Sequence, residues 1–411
     1  MSSLSDKLKA LGVDLGAKNI PPPAKKQQPR AHIEDIVEGT LWDTPHGEVF
    51  VVEHHYPLDY AFGRAPILGD ADPSTLAAWA KEPQVASIPF TKYAFLDTET
   101  SGLAGGTGTY AFMIGMGRFE DDAFRVAQLF MRDPSEELAV LHALEHFLAP
   151  CDGLVTFNGK SFDVPLLRTR YTTHAQPHPF DAFPHVDLLH LARKLWRARL
   201  PSRRLLDLEV LILGAYRTEE DVESWRIPTL YFNYLRGGDP APLKAVFYHN
   251  EIDIVAMAAL LNHVSQMLAN PMDVEHDLDL LAIGKLHEDL GHNDQAQTIF
   301  RACLEHQRDE QARMEALERL SFQLKRVGQL DDAIPLWEEA AAQGELYAHI
   351  ELAKAYEHTY KALEDALAWT QTAWDIIHAR GYPILKRFEW QEPLKKRLDR
   401  LERKIEKQNA G

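Results

Sequence analysis

Two acidic residues two positions apart close an apolar run in YAFLDTETSG, and these residues, Asp97 and Glu99, have the types and spacing best suited to chemistry. Extended backbone sends side chains two residues apart to the same side, so both carboxylates project together from a strand end. Adjacent anions repel unless a cation lies between them, and an oxygen-rich, thiol-free site suits Mg²⁺ or Mn²⁺. Taken alone, Asp-x-Glu at a strand end is more often an ordinary solvated turn. Two further segments change the weighing. TFNGKSFDVPLL places Asp163 after a buried strand and an Asn-Gly turn, in the first turn of a helix. AVFYHNEIDIVAMAALL reads as an amphipathic helix with Asp253 one turn from His249, both facing the same way. Singly, Asp163 is a charge favoured by the helix dipole, and His249 with Asp253 a surface pair. Jointly they are carboxylates on three separate elements beside a ring that titrates near neutrality.

The elements that must position these residues fall into segments of different character. At 411 residues, two or three folded units are expected. Apolar residues at 45% and charged residues at 26% suit a soluble globular protein and exclude wholesale disorder. No run approaches the roughly 18 uninterrupted apolar residues of a membrane helix. The opening MSSLSDKLKALGV lacks the apolar core and cleavage site of a secretory signal, so the cytoplasm is the expected compartment and no membrane the expected partner. Cys151 and Cys303, the two cysteines, lie in different predicted domains, which argues against a disulfide and a thiolate metal site. A net charge of −17 argues against coating nucleic acid with the whole surface, but leaves room for a local basic groove.

Residues 1–33 combine a short amphipathic stretch with a proline-rich, mobile linker. Residues 34–88 form an extension containing a hairpin around a Pro-His-Gly turn. Residues 89–268 alternate strands and helices, predicting a mixed α/β domain. From 273 to 411 helix follows helix, with an internal repeat: Gly291, Ala296 and Phe300 recur 37 residues later as Gly328, Ala333 and Trp337. A weaker copy places Ala366 and Ala373 33 residues after Ala333 and Ala340. This pattern resembles tetratricopeptide repeats, which implies a docking surface for a protein partner. The tail PLKKRLDRLERKIEKQ predicts a solvated charged helix.

The order Asp-x-Glu, Asn-x-x-x-Phe-Asp, then a ring residue shortly before a final Asp resembles the DEDD exonuclease superfamily, with its ribonuclease H-like fold. More narrowly, DTETSGLAGGTGTYAFMIGMG, FNGKSFDVPLL, LDLEVLILG and YHNEIDIVAMAALL are similar to the bacterial YprB-like branch of predicted exonucleases. The resemblance implies that Asp97, Glu99, Asp163 and Asp253 bind two Mg²⁺ or Mn²⁺ ions, with Asp97 bridging them, and that His249 is the general base. It further implies 3′–5′ exonuclease action on a phosphodiester. His249 stands at the spacing the family uses for tyrosine, and Tyr248 stands one residue too early, so the base is open between them.

A substrate surface needs positive charge, and RKLWRARLPSRR at 193–204 carries six Arg or Lys, no acid, and an interleaved Trp196. Guanidinium groups grip phosphate and aromatic rings stack on bases, so this stretch is a candidate contact for single-stranded DNA or RNA. A solvated basic helix and turn explains it equally well. Arg197, Arg203 and Arg204, with Thr98, Asn158 and Lys160 beside the carboxylates, are the expected substrate contacts. The glycine-rich 102–110 is expected to be a flexible loop next to the metals. Asp187 is a support for the site, a helix cap or a surface charge, and His54 and His55 are structural. The competing function is an adaptor that grips nucleic acid with little or no catalysis and recruits a partner through its repeats. DNA against RNA, exo against endo preference, and oligomeric state stay open.

Overall fold

The structure, a computed structural model, describes residues 32–102, 108–218, 220–306 and 308–410. The N-terminal stretch and linker, apart from their last two residues, and the middle of the glycine-rich loop lie outside the described residues. Ile33, placed by sequence in the mobile segment, is fully buried.

The strands are β1 (Thr40–Thr44), β2 (Gly47–Pro57), β3 (Ala61–Phe62), β4 (Ala65–Pro66), β5 (Tyr93–Thr100), β6 (Ala111–Phe119), β7 (Ala123–Phe130), β8 (Gly153–Thr156) and β9 (His185–Asp187). Seven form one mixed sheet in the order β1-β2-β7-β6-β5-β8-β9, while β3 and β4 make a separate ribbon. The predicted hairpin forms, and its strand β2 pairs with β7, so it extends the main sheet. From β1 to β5 every pairing is antiparallel, whereas β5, β8 and β9 run parallel. Tyr93–Leu96 are buried on both faces, as a central strand requires. Phe95 packs into one apolar cluster and Ala94 and Leu96 into the other.

Helices cover the sheet: α1 (Ser74–Ala80), α2 (Glu137–Leu148), α3 (Asp163–Thr173), α4 (Leu188–Trp196), α5 (Ile227–Leu235) and α6 (Leu243–Ala269). The sequence reads α6 as amphipathic, but Ile254–Leu261 are buried without interruption. The sheet packs against one side of this helix, and the β3–β4 ribbon, α1 and α4 pack against the rest of it, leaving no polar face there. By length and composition α6 could cross a membrane, yet 72% of its most apolar window is buried inside the protein. It is a core helix. Its approach to the sheet depends on two strand glycines: a Cβ on Gly115 would lie 2.1 Å from Asn250 Oδ1, and one on Gly117 would lie 2.6 Å from Ile254 Cγ2.

Beyond α6 the fold is all-helical: α7 (Asp277–Asp289), α8 (Asn293–His306), α9 (Glu310–Arg326), α10 (Leu330–Ala342), α11 (Leu346–Ala355), α12 (Leu363–His378) and α13 (Ile384–Asn409). Repeat residues Ala296, Phe300, Ala333, Trp337, Ala366 and Ala373 are fully buried. Gly291 and Gly328 follow helix ends with φ of +78° and +82°, where a side chain is strained. One apolar cluster runs from Phe95 through α6 to Trp337, so sheet and helices share a core. The last helix is not merely solvated, because Leu394 and Leu401 are buried and Arg397, Arg400 and Lys404 converge on buried Glu357. Burial alone would raise the Glu357 carboxyl, but Arg400 and Lys404 hold it down to about 2.

Gly115→Ala is expected to push Asn250 and α6 off the sheet and destabilise the protein by about 1–3 kcal/mol, as overpacking does. Urea unfolding of the two proteins measures this, and equal midpoints would show that the helix can shift freely.

Candidate functional site

Parallel strands end on the same side, so the carboxyl ends of β5, β8 and β9 present their following loops at one edge. Asp97 and Glu99 stand at the end of β5. After β8 the chain turns through Asn158, whose φ of +70° an asparagine tolerates, and enters α3 at its first residue, Asp163. Asp187 ends β9 and is buried, which excludes the surface role, and it acts both as a cap and as a support. It caps α4 by accepting from Leu189 N at 3.1 Å, and it accepts from Asn158 N at 2.8 Å and Lys160 N at 3.1 Å. The loop that delivers Asp163 is thereby pinned.

Helix α6 closes the cluster with His249, Asn250 and Asp253. Asn250 Nδ2 donates to Asp97 Oδ2 at 3.0 Å, and its amide is oriented by Gln128, which donates to Asn250 Oδ1 at 3.0 Å and to Phe247 O at 2.8 Å. The Thr98 hydroxyl donates to Asp163. Donor atoms of Glu99, His249 and Asp253 all lie within 4.8 Å of one another, close enough to hold one cation.

Electrostatically the cluster is strained. Burial, followed by the charges of Asp253, Asp163 and Glu99, pushes Asp97 well above the usual carboxylate range. Glu99 is raised to about 7, chiefly by desolvation, and Asp163 to about 6 for the same first reason. Burial by itself would lower His249, but Asp253, Glu99 and the bond from Asp221 raise it. Crowded carboxylates that resist ionisation fit a divalent cation, whose charge would remove the penalty.

One cation is already built in. Arg217 is nearly buried and bonds Asp253, while its Nε donates to Glu209 Oε2 at 2.8 Å. Asp221 Oδ1 lies 2.7 Å and Arg217 Nη1 3.1 Å from His249 Nδ1, while Nε2 lies near Ser224 Oγ at 3.3 Å and Asp253 Oδ2 at 3.7 Å. Tyr248 lies elsewhere: its hydroxyl accepts from Thr218 N at 3.0 Å, and its ring lines another cavity with His54 and Glu251. His54 pairs with Glu251, and His55 lies on β2.

A groove of about 920 Å³ opens from His249 and Asp253 past Asn158 to Arg193, Arg203 and Arg204. Arg204 is exposed and pairs with Asp207, while Arg203 donates to Leu200 O at 2.9 Å. The rest of the expected surface is placed differently. Trp196 is fully buried and lies against His263, so it is a core residue and no base can stack on it. Arg199 and Lys194 are spent on Asp279 and Asp289 of the helical region. Arg197 and Lys160 are exposed but outside the groove lining, and Thr98 is buried with its hydroxyl committed to Asp163.

Sequence reasoning missed Asn250, Glu209, Arg217 and Asp221. Two signals were available. Glu209 is an acid inside the apolar run of LDLEVLILG, and a buried charge needs a partner. Gly115-x-Gly117 puts two glycines on one strand face, the mark of close approach by another element.

A family model described as the RNase_H superfamily matches residues 94–265. The uncharacterized protein YprB of Bacillus subtilis (strain 168) is 35% identical over 284 residues, covering 66% of this chain and 67% of YprB. A family B DNA polymerase from the hyperthermophilic archaeon Pyrobaculum calidifontis aligns at 15% identity with a TM-score of 0.33, over 48% of this chain and 29% of the polymerase.

Raised carboxyls make a signed prediction. Between their ordinary values near 4 and the raised values near 6 and 7, the folded state holds more protons than the unfolded one. These groups therefore favour the fold at low pH, and that contribution is lost as pH rises through about 7. In EDTA, Glu99→Gln should raise Tm at pH 8 by a few degrees, on the order of 1 kcal/mol, and much less at pH 4. An unchanged or lower Tm at pH 8 would show that Glu99 carries no such penalty.

Proposed function

The chain belongs to the family that includes YprB and carries an RNase_H superfamily domain over residues 94–265, and from that premise we propose that it is a metal-dependent 3′–5′ exonuclease acting on single-stranded DNA or RNA. The observation that carries this reading is the meeting of Glu99, His249 and Asp253 donor atoms within 4.8 Å, with Asp97 and Asp163 pressed close, at the mouth of a groove bearing Arg193, Arg203 and Arg204.

In this mechanism Asp97, Glu99, Asp163 and Asp253 would hold two Mg²⁺ or Mn²⁺ ions. Bound there, such ions lend Lewis acidity to the attacking water and to the departing oxygen. The chain's own groups do the positioning. Asn250 and Thr98 keep Asp97 and Asp163 in place, and Asp187 fixes the loop that carries Asp163. Arg217 offsets the charge of Asp253. His249 takes the proton, and it acts only after losing the one that its anionic neighbours Asp253, Glu99 and Asp221 favour. Arg203 and Arg204 bind the strand's phosphates.

We further propose the divisions 34–88, 89–268 and 273–411, with the last a tetratricopeptide-like surface for a protein partner. A second reading, an adaptor that binds nucleic acid without cutting it, draws on Arg217, which already neutralises Asp253 without any added ion.

Purified protein with Mg²⁺ or Mn²⁺ should shorten 5′-labelled single strands from their 3′ ends, and Asp97→Asn should abolish this while leaving binding largely intact. Binding without shortening in either metal favours the adaptor, and loss from the 5′ end overturns the polarity. Replacing Arg203 and Arg204 together by alanine should flatten the slope of log affinity against log salt by about 1.4. An unchanged slope would place the phosphates elsewhere.

A further inference from the structure

Trp225 alone among the eight tryptophans is exposed, at 69%, while the other seven are buried or half-buried. Its ring lines the groove that Arg193, Arg203 and Arg204 share. An indole costs free energy when left in water, and no apolar cluster claims this one. Its position is also fixed. It sits in the short turn Ser224–Arg226 that leads into α5, and His249 is met both by the chain before that turn, at Asp221 at 2.7 Å, and by its first residue, Ser224, at 3.3 Å. A flat apolar face is thus held one residue from a group that touches the centre, in a groove that also carries guanidinium groups. This is the pairing of stacking platform and phosphate grip that binds single strands without regard to sequence.

We propose that Trp225 stacks on the base of a nucleotide next to the one held at the carboxylates, and so makes the groove select unpaired strand. Bases inside a duplex have both faces covered by their neighbours, whereas a single strand turns a free face to the indole. Arg203 and Arg204 hold the backbone of that nucleotide, and the ring reads its base without distinguishing which base it is. This inference rests on the proposed nuclease reading and names the residue that sets its substrate form.

The test measures binding of a fluorescein-labelled oligo-dT strand, and of an abasic strand of equal length, by anisotropy in EDTA, to full-length wild type, Trp225→Ala and Trp225→Phe. Trp225→Ala should bind oligo-dT about 5- to 150-fold more weakly, Trp225→Phe should recover most of the loss, and the abasic strand should bind all three alike. In turnover, Trp225→Ala should raise KM with little change in kcat. Unchanged oligo-dT affinity in Trp225→Ala overturns the proposal. So does an equal loss on the abasic strand, or an equal loss in Trp225→Phe, because either marks a role in shaping the loop. Wild type that degrades strands while Trp225→Ala keeps its KM removes the stacking alone. Wild type that neither binds nor degrades any strand removes the nuclease reading, and the stacking with it.

Discussion

Mutual repulsion among Asp97, Glu99, Asp163 and Asp253 is the constraint around which the α/β part of this protein is arranged. Burial and like charge raise Asp97, Glu99 and Asp163 together, so each carboxylate must be held against a tendency to move apart or take up a proton. The holding groups come from every neighbouring element: Asn250 from α6, Thr98 from β5, Asp187 from the end of β9 through the Asn158 loop, and Arg217 from the chain that follows the Leu205–Leu213 turns. A buried ion pair such as Arg217 with Glu209 and Asp253 adds little net stability, but removing one partner strands the others without compensation. Its value lies in fixing geometry.

That geometry reaches outward through packing. Asn250 meets Asp97 only because Gly115 has no side chain, and α6 lies close along the sheet only because Gly117 has none. The same helix contributes to the apolar core that extends into the helical region, which packs on the sheet domain through α4 and α7.

Much of this was legible in the sequence, for reasons that differ by residue. Asp97 and Glu99 could be paired because a strand has a period of two. Asp163 could be placed because Asn-Gly followed by an apolar helical pattern marks a turn and a helix start. His249 and Asp253 could be put on one face because four residues make about one turn. Trp196 was misplaced although the pattern was present: Leu188, Leu191, Ala192, Leu195 and Trp196 form a helical apolar stripe, which puts the ring in the core. The amphipathic reading of α6 failed because elements pack on opposite sides of it, a tertiary fact that no local periodicity carries. Asn250, Arg217 and Asp221 matter through partners distant in sequence, and only the fold brings them together.

A divalent ion entering this cluster must displace the protons that crowding keeps on the carboxyls. Calorimetric titration of Mn²⁺ into metal-free protein near neutral pH, in two buffers of different ionisation heat, reads that exchange directly. The carboxylate centre predicts saturable binding with net proton release, and loss of that binding in Asp253→Asn. Absence of binding, or binding that releases no protons and survives Asp253→Asn, would contradict it.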